Sequence, residues 1–278
     1  MEEEKEAALV ALGIFVPNEE DDPDDNDYDY IINGRRYHNP DCLYSITLDE
    51  EISVELRNTG ENIDDYWANA WQSGYCDFHR WNFDVYKGRY RKAFPTRYKL
   101  RDFVFTKSLR RVLKKNQDLK TVIRPLRITP EKSRLHDIHY FLRHHKPPRK
   151  SLPEAYKYTV HYPSKLMELC VFKENKLVAC SIFEVGARAM VSNIAFWDLK
   201  EASRGLGILT ILLEVQYALR HGMNWYYLGF YYKQNPNYQY KTRFGGLQLY
   251  DWDNEHWIDF QTPEAAELLK QKLPRHKD

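Results

Sequence analysis

Cysteine is scarce in this chain, with four among 278 residues: Cys42, Cys76, Cys170 and Cys180. No two form a C-x-x-C pair and none stands at ligand spacing from a histidine, which argues against a zinc module or a disulfide framework. His136, His139, His144 and His145 crowd one segment. No second ligand group joins them at a recognised spacing, so no metal and no other resident cofactor is expected. Long apolar runs are also missing, and no membrane partner is expected. The Glu-rich start is the opposite of a secretory or mitochondrial leader. With so few cysteines, the expected compartment is the reducing cytoplasm.

Net charge is nearly absent as well, at +1, but it hides two opposed blocks. Residues 1–66 hold 20 acids against 4 bases, and residues 67–150 hold 22 bases against 6 acids. A basic block of that density is the footprint of a polyanion binder. The plainer account is a solvated face neutralised by the acidic segment. What the chain has in plenty is aromatic side chain, with 21 Tyr and 7 Trp. Such residues suit stacking on bases, and equally a core with polar handles.

Length and charge together predict an acidic, flexible segment over 1–30, a basic α+β domain over 31–130 and a second domain over 131–278. Residues 1–15 read as a short amphipathic helix and Asn18 to Asp29 as an acidic run. Asn33-Gly34 is a hairpin turn signal, and Ile52–Leu56 alternates as a strand does. A helix from Asp64 to Gly74 and a strand over Tyr98–Phe103 follow. Thr106 and Ser108 can cap a helix through Leu119. Another helix spans Pro130 to Arg143. From residue 164 the pattern turns to strands: 165–173, 176–185 and 187–197. Next come Arg204-Gly205-Leu206-Gly207, a helix over 208–220 closed by Gly222, and strands at 225–231 and 247–252. A helix over 262–272 ends the series.

The chemistry gathers near the strands' ends. Gly205, Leu206 and Gly207 open a helix directly after a strand, and free backbone N–H groups there attract an anion. Asp198 ends the third strand and is a candidate to hold or deprotonate an amine, unless it merely caps the turn. Tyr227 and Tyr240 can donate to an oxyanion or stack on a base. Lys241 and Arg243 can meet an acidic side chain or a phosphate. Arg110, Arg111, Lys114 and Lys115 lie along one helix, as contacts to a nucleic-acid backbone would. Arg143 and His144 belong with them.

The Gly205–Gly207 segment is similar to the pyrophosphate loop of GNAT N-acetyltransferases, but Ala202 stands where that loop has its first cation. The wider pattern resembles the aminoacyl-tRNA–protein transferases, the eukaryotic arginyl- and bacterial leucyl-transferases. The matching residues are Ser108-Leu109-Arg110-Arg111, Asn116-Gln117-Asp118-Leu119, Arg143-His144, Phe196-Trp197-Asp198, Leu206-Gly207, Tyr227-Leu228-Gly229-Phe230 and Tyr240-Lys241-x-Arg243-Phe244. They cover residues 95–252 in order. The resemblance implies a GNAT-like α+β sheet flanked by helices. It also implies that aminoacyl-tRNA is the co-substrate and that arginine or leucine passes to a protein's N-terminal α-amine, in N-degron turnover. Asp198, Tyr240 and Lys241 would be catalytic. Tyr227, Gly229, Arg243 and Gly205–Gly207 would bind substrate, and the cations named above would bind tRNA. The family's closely spaced N-terminal cysteines have no counterpart in 90–97, so no metal or redox role tied to them is expected. A CoA-dependent acetyltransferase and a silent RNA-binding relative are the alternatives.

Overall fold

The computed structural model describes residues 30–32, 35–37, 44–47, 63–74, 77–80, 82–86, 89–148, 150–156, 164–233 and 235–270. The expected helix over 1–15, the acidic run and the strand Ile52–Leu56 lie outside them.

One eight-stranded sheet organises the described residues, in the order β15-β14-β8-β13-β12-β11-β10-β9. Its strands are β8 (Phe94–Lys99), β9 (Lys120–Pro125), β10 (Lys165–Lys173), β11 (Lys176–Val185), β12 (Ala189–Trp197), β13 (Trp225–Tyr231), β14 (Leu247–Asp251) and β15 (His256–Asp259). Strands β1 (Tyr30–Ile32) and β2 (Arg35–Tyr37) pair antiparallel on either side of Asn33-Gly34. β3 (Tyr44–Thr47), β4 (Gln72–Gly74) and β5 (Asp77–Arg80) form a second small sheet, and β6 (Phe83–Tyr86) pairs with β7 (Arg89–Lys92). The main sheet draws β8 and β9 from before residue 130 and the rest from after it, so it spans the expected domain division.

The architecture is α+β, a large sheet flanked by helices, as expected. On one face lie α2 (Lys107–Lys115) and α5 (Leu206–Arg220), burying Leu109, Leu206, Leu209, Leu212 and Val215 against Phe183 and Met190. The other face carries α1 (Ile63–Ala68), α3 (Pro130–His144) and α4 (Leu152–Ala155), with Trp67, Leu152, Ile182 and Phe196 in its core. The short α6 (Pro263–Leu268) packs near β15. Central β11 is buried on both faces, in keeping with the apolar run Leu177–Cys180 and with Ile182 and Phe183 beyond Ser181. Thr106 and Thr129 cap α2 and α3, their side chains accepting from Leu109 N and Lys132 N. Glu174 and Asn175, both at positive φ, close the β10–β11 hairpin.

Three expectations need correction, one being the helix expected through Leu119, which stops at Lys115. The helix from Asp64 stops at Ala68, because Ala70 turns to φ 64° and the chain then forms β4. The strand expected at Tyr98–Phe103 is β8, begun at Phe94, and Leu100–Asp102 curls into a 3-10 turn. Strands β9 and β15 were unread, one carrying Pro125 and the other lying at the sheet's edge.

Candidate functional site

Parallel strands β12 and β13 pair only from Ala189↔Trp225 to Val191↔Tyr227. β12 then runs on to Trp197 and β13 to Tyr231 without pairing to each other. The sheet therefore opens between the carboxyl ends of two parallel strands, where ligands settle in open α/β sheets. β13 also carries an irregularity between Tyr227 and Phe230 in its pairing with β8, and Gly229 there has φ 59°. A side chain at that φ would be strained, which gives the glycine its reason.

The disturbed backbone is held by two buried side chains. Thr96 Oγ1 donates to Leu228 O (3.1 Å) and Gly229 O (2.9 Å). Lys241 Nζ donates to Leu228 O and Phe230 O. Lys241 is only 3% exposed, and burial pulls its ammonium down to about 7. Lys241, expected to meet an acidic side chain or a phosphate and by resemblance to be catalytic, is here a pin under the strand, because the turn Pro236–Arg243 folds back over β13. Tyr98 Oη anchors that turn by donating to Lys241 O (3.0 Å), and Asn235 Oδ1 accepts from Asn237 N.

Tyr240, in the same turn, is half-buried against the α2/α5 core. Burial pushes its phenol up, the charges of Tyr238 and Glu214 push the same way, and Arg143 opposes. It therefore stays protonated at neutral pH and can donate. Arg243 is exposed. Tyr227 faces the opposite side of the sheet, buried among Trp67 and Trp257 at 6.3 and 5.7 Å between ring centroids. Tyr240 packs in the same core as Tyr226, whose strand neighbour Tyr227 points to the opposite face, so Tyr227 and Tyr240 do not share a surface.

Asp198 caps the 3-10 turn Leu199–Arg204, its Oδ1 accepting from Lys200 N (3.0 Å) and its Oδ2 paired with Lys176 Nζ (2.9 Å). The Lys176 hydrogen bond holds its carboxyl below the usual range. That makes it a capping carboxylate and a weak base. Gly205 (φ 67°) then starts α5 with no side-chain cap, and a Cβ on Gly207 would lie 2.7 Å from the Trp197 ring. Arg204 is bound to Asp118 through two nitrogens at 2.9 Å and to Glu201, so it is not a free phosphate ligand.

Arg143, exposed at the end of α3, lies 5.6 Å over Trp197, and His144 stacks on Tyr140 at 4.4 Å. His139, inside α3, has Nδ1 at 3.0 Å from Trp197 O, and burial lowers its imidazole to about 4. It is neutral at physiological pH. Arg110, Arg111, Lys114 and Lys115 are exposed on α2, although Lys115 Nζ donates to Ser203 O (2.6 Å) and Arg110 to Phe105 O (2.7 Å).

Sequence reasoning missed Thr96, the Lys241 pin and two buried acids. Glu214 lies alone in the apolar run of α5, and that isolation was a visible signal. Glu168, fully buried, takes Lys132 Nζ on both oxygens (2.8 and 2.6 Å) and Arg124 Nε (2.7 Å). Its donor atoms and those of Cys170 and Cys180 lie within 4.8 Å of one another, but Lys132 and Arg124 already supply the cations there. No helix among the described residues is long and apolar enough to cross a membrane.

Residues 131–251, which include α3, the open strands and the Tyr240–Arg243 turn, match the family model "Arginine-tRNA-protein transferase, C terminus". An aspartate/glutamate leucyltransferase of Acinetobacter baumannii is 27% identical over 167 residues, covering 57% of this chain and 60% of that protein. The same named enzyme of Shewanella putrefaciens is 27% identical over 179 residues, covering 62% and 75%. The chain thus spans about 60% of the length of the first of these relatives. Among solved structures, L-PGS from Bacillus licheniformis aligns with a TM-score of 0.39 at 11% identity, covering 54% of this chain and 47% of that one. A likeness of that size carries no argument. Through residues 131–251, the chain is similar to the aminoacyl-tRNA–protein transferases.

Proposed function

We propose that the protein transfers an amino acid from aminoacyl-tRNA to the N-terminal α-amine of acceptor proteins in the cytoplasm. The observation that carries this reading is the coincidence of the family segment with the opening between β12 and β13. The donor residue is leucine and the acceptor N-terminus Asp or Glu, as the relatives' printed names suggest. Arginine is the second donor to test, from the description of the family model. Such transfer would serve N-degron turnover.

The reaction asks little covalent chemistry of the protein. An acyl ester at the tRNA 3′ end is already activated, so positioning and oxyanion stabilisation supply most of the rate. The protonated Tyr240 hydroxyl is the oxyanion donor. Lys241 acts by holding the Leu228–Phe230 carbonyls and so the shape of the β13 edge. Arg243 meets the acidic acceptor side chain, and the N–H groups opened by Gly205–Gly207 take an anionic group of the substrate. Asp198 holds the turn before α5 and can attract the acceptor ammonium. Tyr227 and Gly229 shape β13. The exposed cations of α2, with Arg143 and His144, run along the tRNA backbone.

The test is transfer of labelled amino acid from a charged total-tRNA pool to peptides beginning with Asp, Glu, Lys or Arg. Ribonuclease-sensitive label on the acidic peptides is the expected result. Intact tRNA binding with no transfer would mean a silent RNA-binding relative. The absence of both would redirect attention to acetyl-CoA.

A further inference from the structure

The helix that carries the exposed cations has a thin apolar seat. Of the nine residues of α2 only Leu109 is buried, with Val112 and Leu113 half-buried against the core shared with α5. A stripe that narrow leaves the tilt of the helix to its polar ties. Among the described residues, those ties run from its C-terminal end to Ser203 and Arg204. Lys115 Nζ donates to Ser203 O (2.6 Å), and the buried Asn116 donates through Nδ2 to Arg204 O (3.0 Å) and to Val112 O (2.8 Å). In the other direction Arg204 Nη1 donates to Lys115 O (3.4 Å), and Nη1 and Nη2 each meet one oxygen of Asp118 at 2.9 Å. A guanidinium bound to a carboxylate through two nitrogens fixes orientation as well as distance.

Ser203 and Arg204 close the turn that continues β12, the strand on one side of the opening. Asp198 caps the start of that turn, and its N–H donates to Val178 O of β11 (2.9 Å). Midway, Glu201 accepts from Arg204 Nε (2.9 Å) and from Lys173 Nζ of β10 (2.7 Å). Beyond the turn, Gly207 sits so close to the Trp197 ring that a Cβ would lie 2.7 Å from it. The turn is thus held at both ends to the last residues of β12, and α2 is held to the turn. Arg204, half-buried, joins Asp118 after α2 to Glu201 within the turn and, through Glu201, to β10.

We propose that Arg204 and Asp118 are a positioning pair that sets the angle of the cationic face of α2 relative to the opening between β12 and β13. A tRNA backbone lying on Arg110, Arg111 and Lys114 then delivers its acylated 3′ end to the opening. This inference rests on the transferase reading above. Neither residue of the pair touches substrate. With its guanidinium taken up by Asp118 and Glu201, Arg204 supplies geometry rather than a phosphate contact. A reacting group displaced by about 1 Å can lose about 10²-fold in rate, and a tilt of α2 moves everything bound along it.

Two variants of the full chain separate geometry from charge. Arg204→Gln removes a positive charge and Asp118→Asn a negative one, so a purely electrostatic role would weaken tRNA use in the first and strengthen it in the second. The pair's positioning role lowers kcat with aminoacyl-tRNA in both, by about 10- to 100-fold, while tRNA Kd in filter binding moves by less than about threefold. A second donor, the aminoacyl ester of adenosine, has no backbone to lie on α2. Transfer from it should be unchanged in both variants, whereas a deformed opening would lower transfer from both donors. Opposite signs with aminoacyl-tRNA, an equal loss from both donors, or no loss at all overturns the inference. Should Arg204→Gln fail to melt as a folded protein, Asp118→Asn is read alone, because geometry and charge already predict opposite signs for it. Should the wild type not accept the adenosine ester, KM for the acceptor peptide takes its place, unchanged for a positioning pair and raised for a deformed opening. Wild-type protein that transfers no label from either donor overturns the transferase reading itself, and this inference falls with it.

Discussion

Replacing Lys132 with methionine tests the packing of α3 on the sheet. Lys132 Nζ donates to both oxygens of Glu168 at 2.8 and 2.6 Å, and the two side chains are 3% and 0% exposed. Removing one partner of a buried pair costs about 3–5 kcal/mol, because the other charge stays behind in a poor solvent. Arg124 Nε and the Arg127 N–H remain on Glu168, at 2.7 and 3.2 Å, so the low end, about 3 kcal/mol, is expected here. For a chain of this size that is about 6–12 °C in melting temperature. The pH dependence gives a second reading. Burial alone would raise the Glu168 carboxyl, but Lys132, Arg124 and Arg127 outweigh it and the net shift is downward. A depressed carboxyl contributes stability above its unfolded pKa and loses it as pH falls through the folded value. Lys132→Met raises the carboxyl again, so protonation relieves part of the deficit as pH falls from 7 to 5. Thermal melts by near-ultraviolet circular dichroism at both values check this. A variant melting within about 1 °C of wild type at pH 7 would refute the reasoning, and so would a deficit that widens toward pH 5. Lys132→Met with Glu168→Met should regain much of the loss, since an apolar pair carries no desolvation penalty.

Further outcomes follow from the site. Tyr240→Phe should lower transfer by about 10²-fold with little change in melting, if its hydroxyl serves the oxyanion; steady-state kinetics decide. Arg110→Glu with Arg111→Glu should weaken tRNA binding and flatten its dependence on salt, read by filter binding at several ionic strengths, while peptide KM stays put. Lys241 titrates near about 7 when folded against 10.5 as a free side chain, so the unfolded chain binds more protons between those values and stability rises with pH across that window. Lys241→Met should remove that rise, as urea melts at pH 7 and 10 would reveal.

Local pattern carried far in this chain. The strand periods on either side placed the β10–β11 hairpin, and period and caps placed both ends of α3 and α5 closely and the start of α2, which stops at Lys115 rather than Leu119. β9 escaped because Lys120, Arg124 and Pro125 do not read as a strand, yet an edge tolerates them. At the site, types were legible and environments were not. Lys241 read as a partner for an acidic side chain or a phosphate until the 236–243 turn folded it under Leu228 and Phe230. Tyr227 and Tyr240 looked alike until the sheet put them on opposite faces. Asp198 looked like a base until Lys176 arrived from the neighbouring strand.

What the sequence determined by itself was the order of helices α2, α3 and α5 and of strands β10 to β14, the charge blocks and the segments that resemble the family. Those depend on spacing along the chain, which local periodicity and capping report. The tertiary structure alone decided where the sheet opens, which acids lose their solvent and which cations are consumed by carbonyls or carboxylates. Glu214 and Tyr226, twelve residues apart in sequence, meet at 2.7 Å because a helix must cross back over the sheet to bring them together. Desolvation and pairing arise from such long-range closures, and no local pattern encodes them.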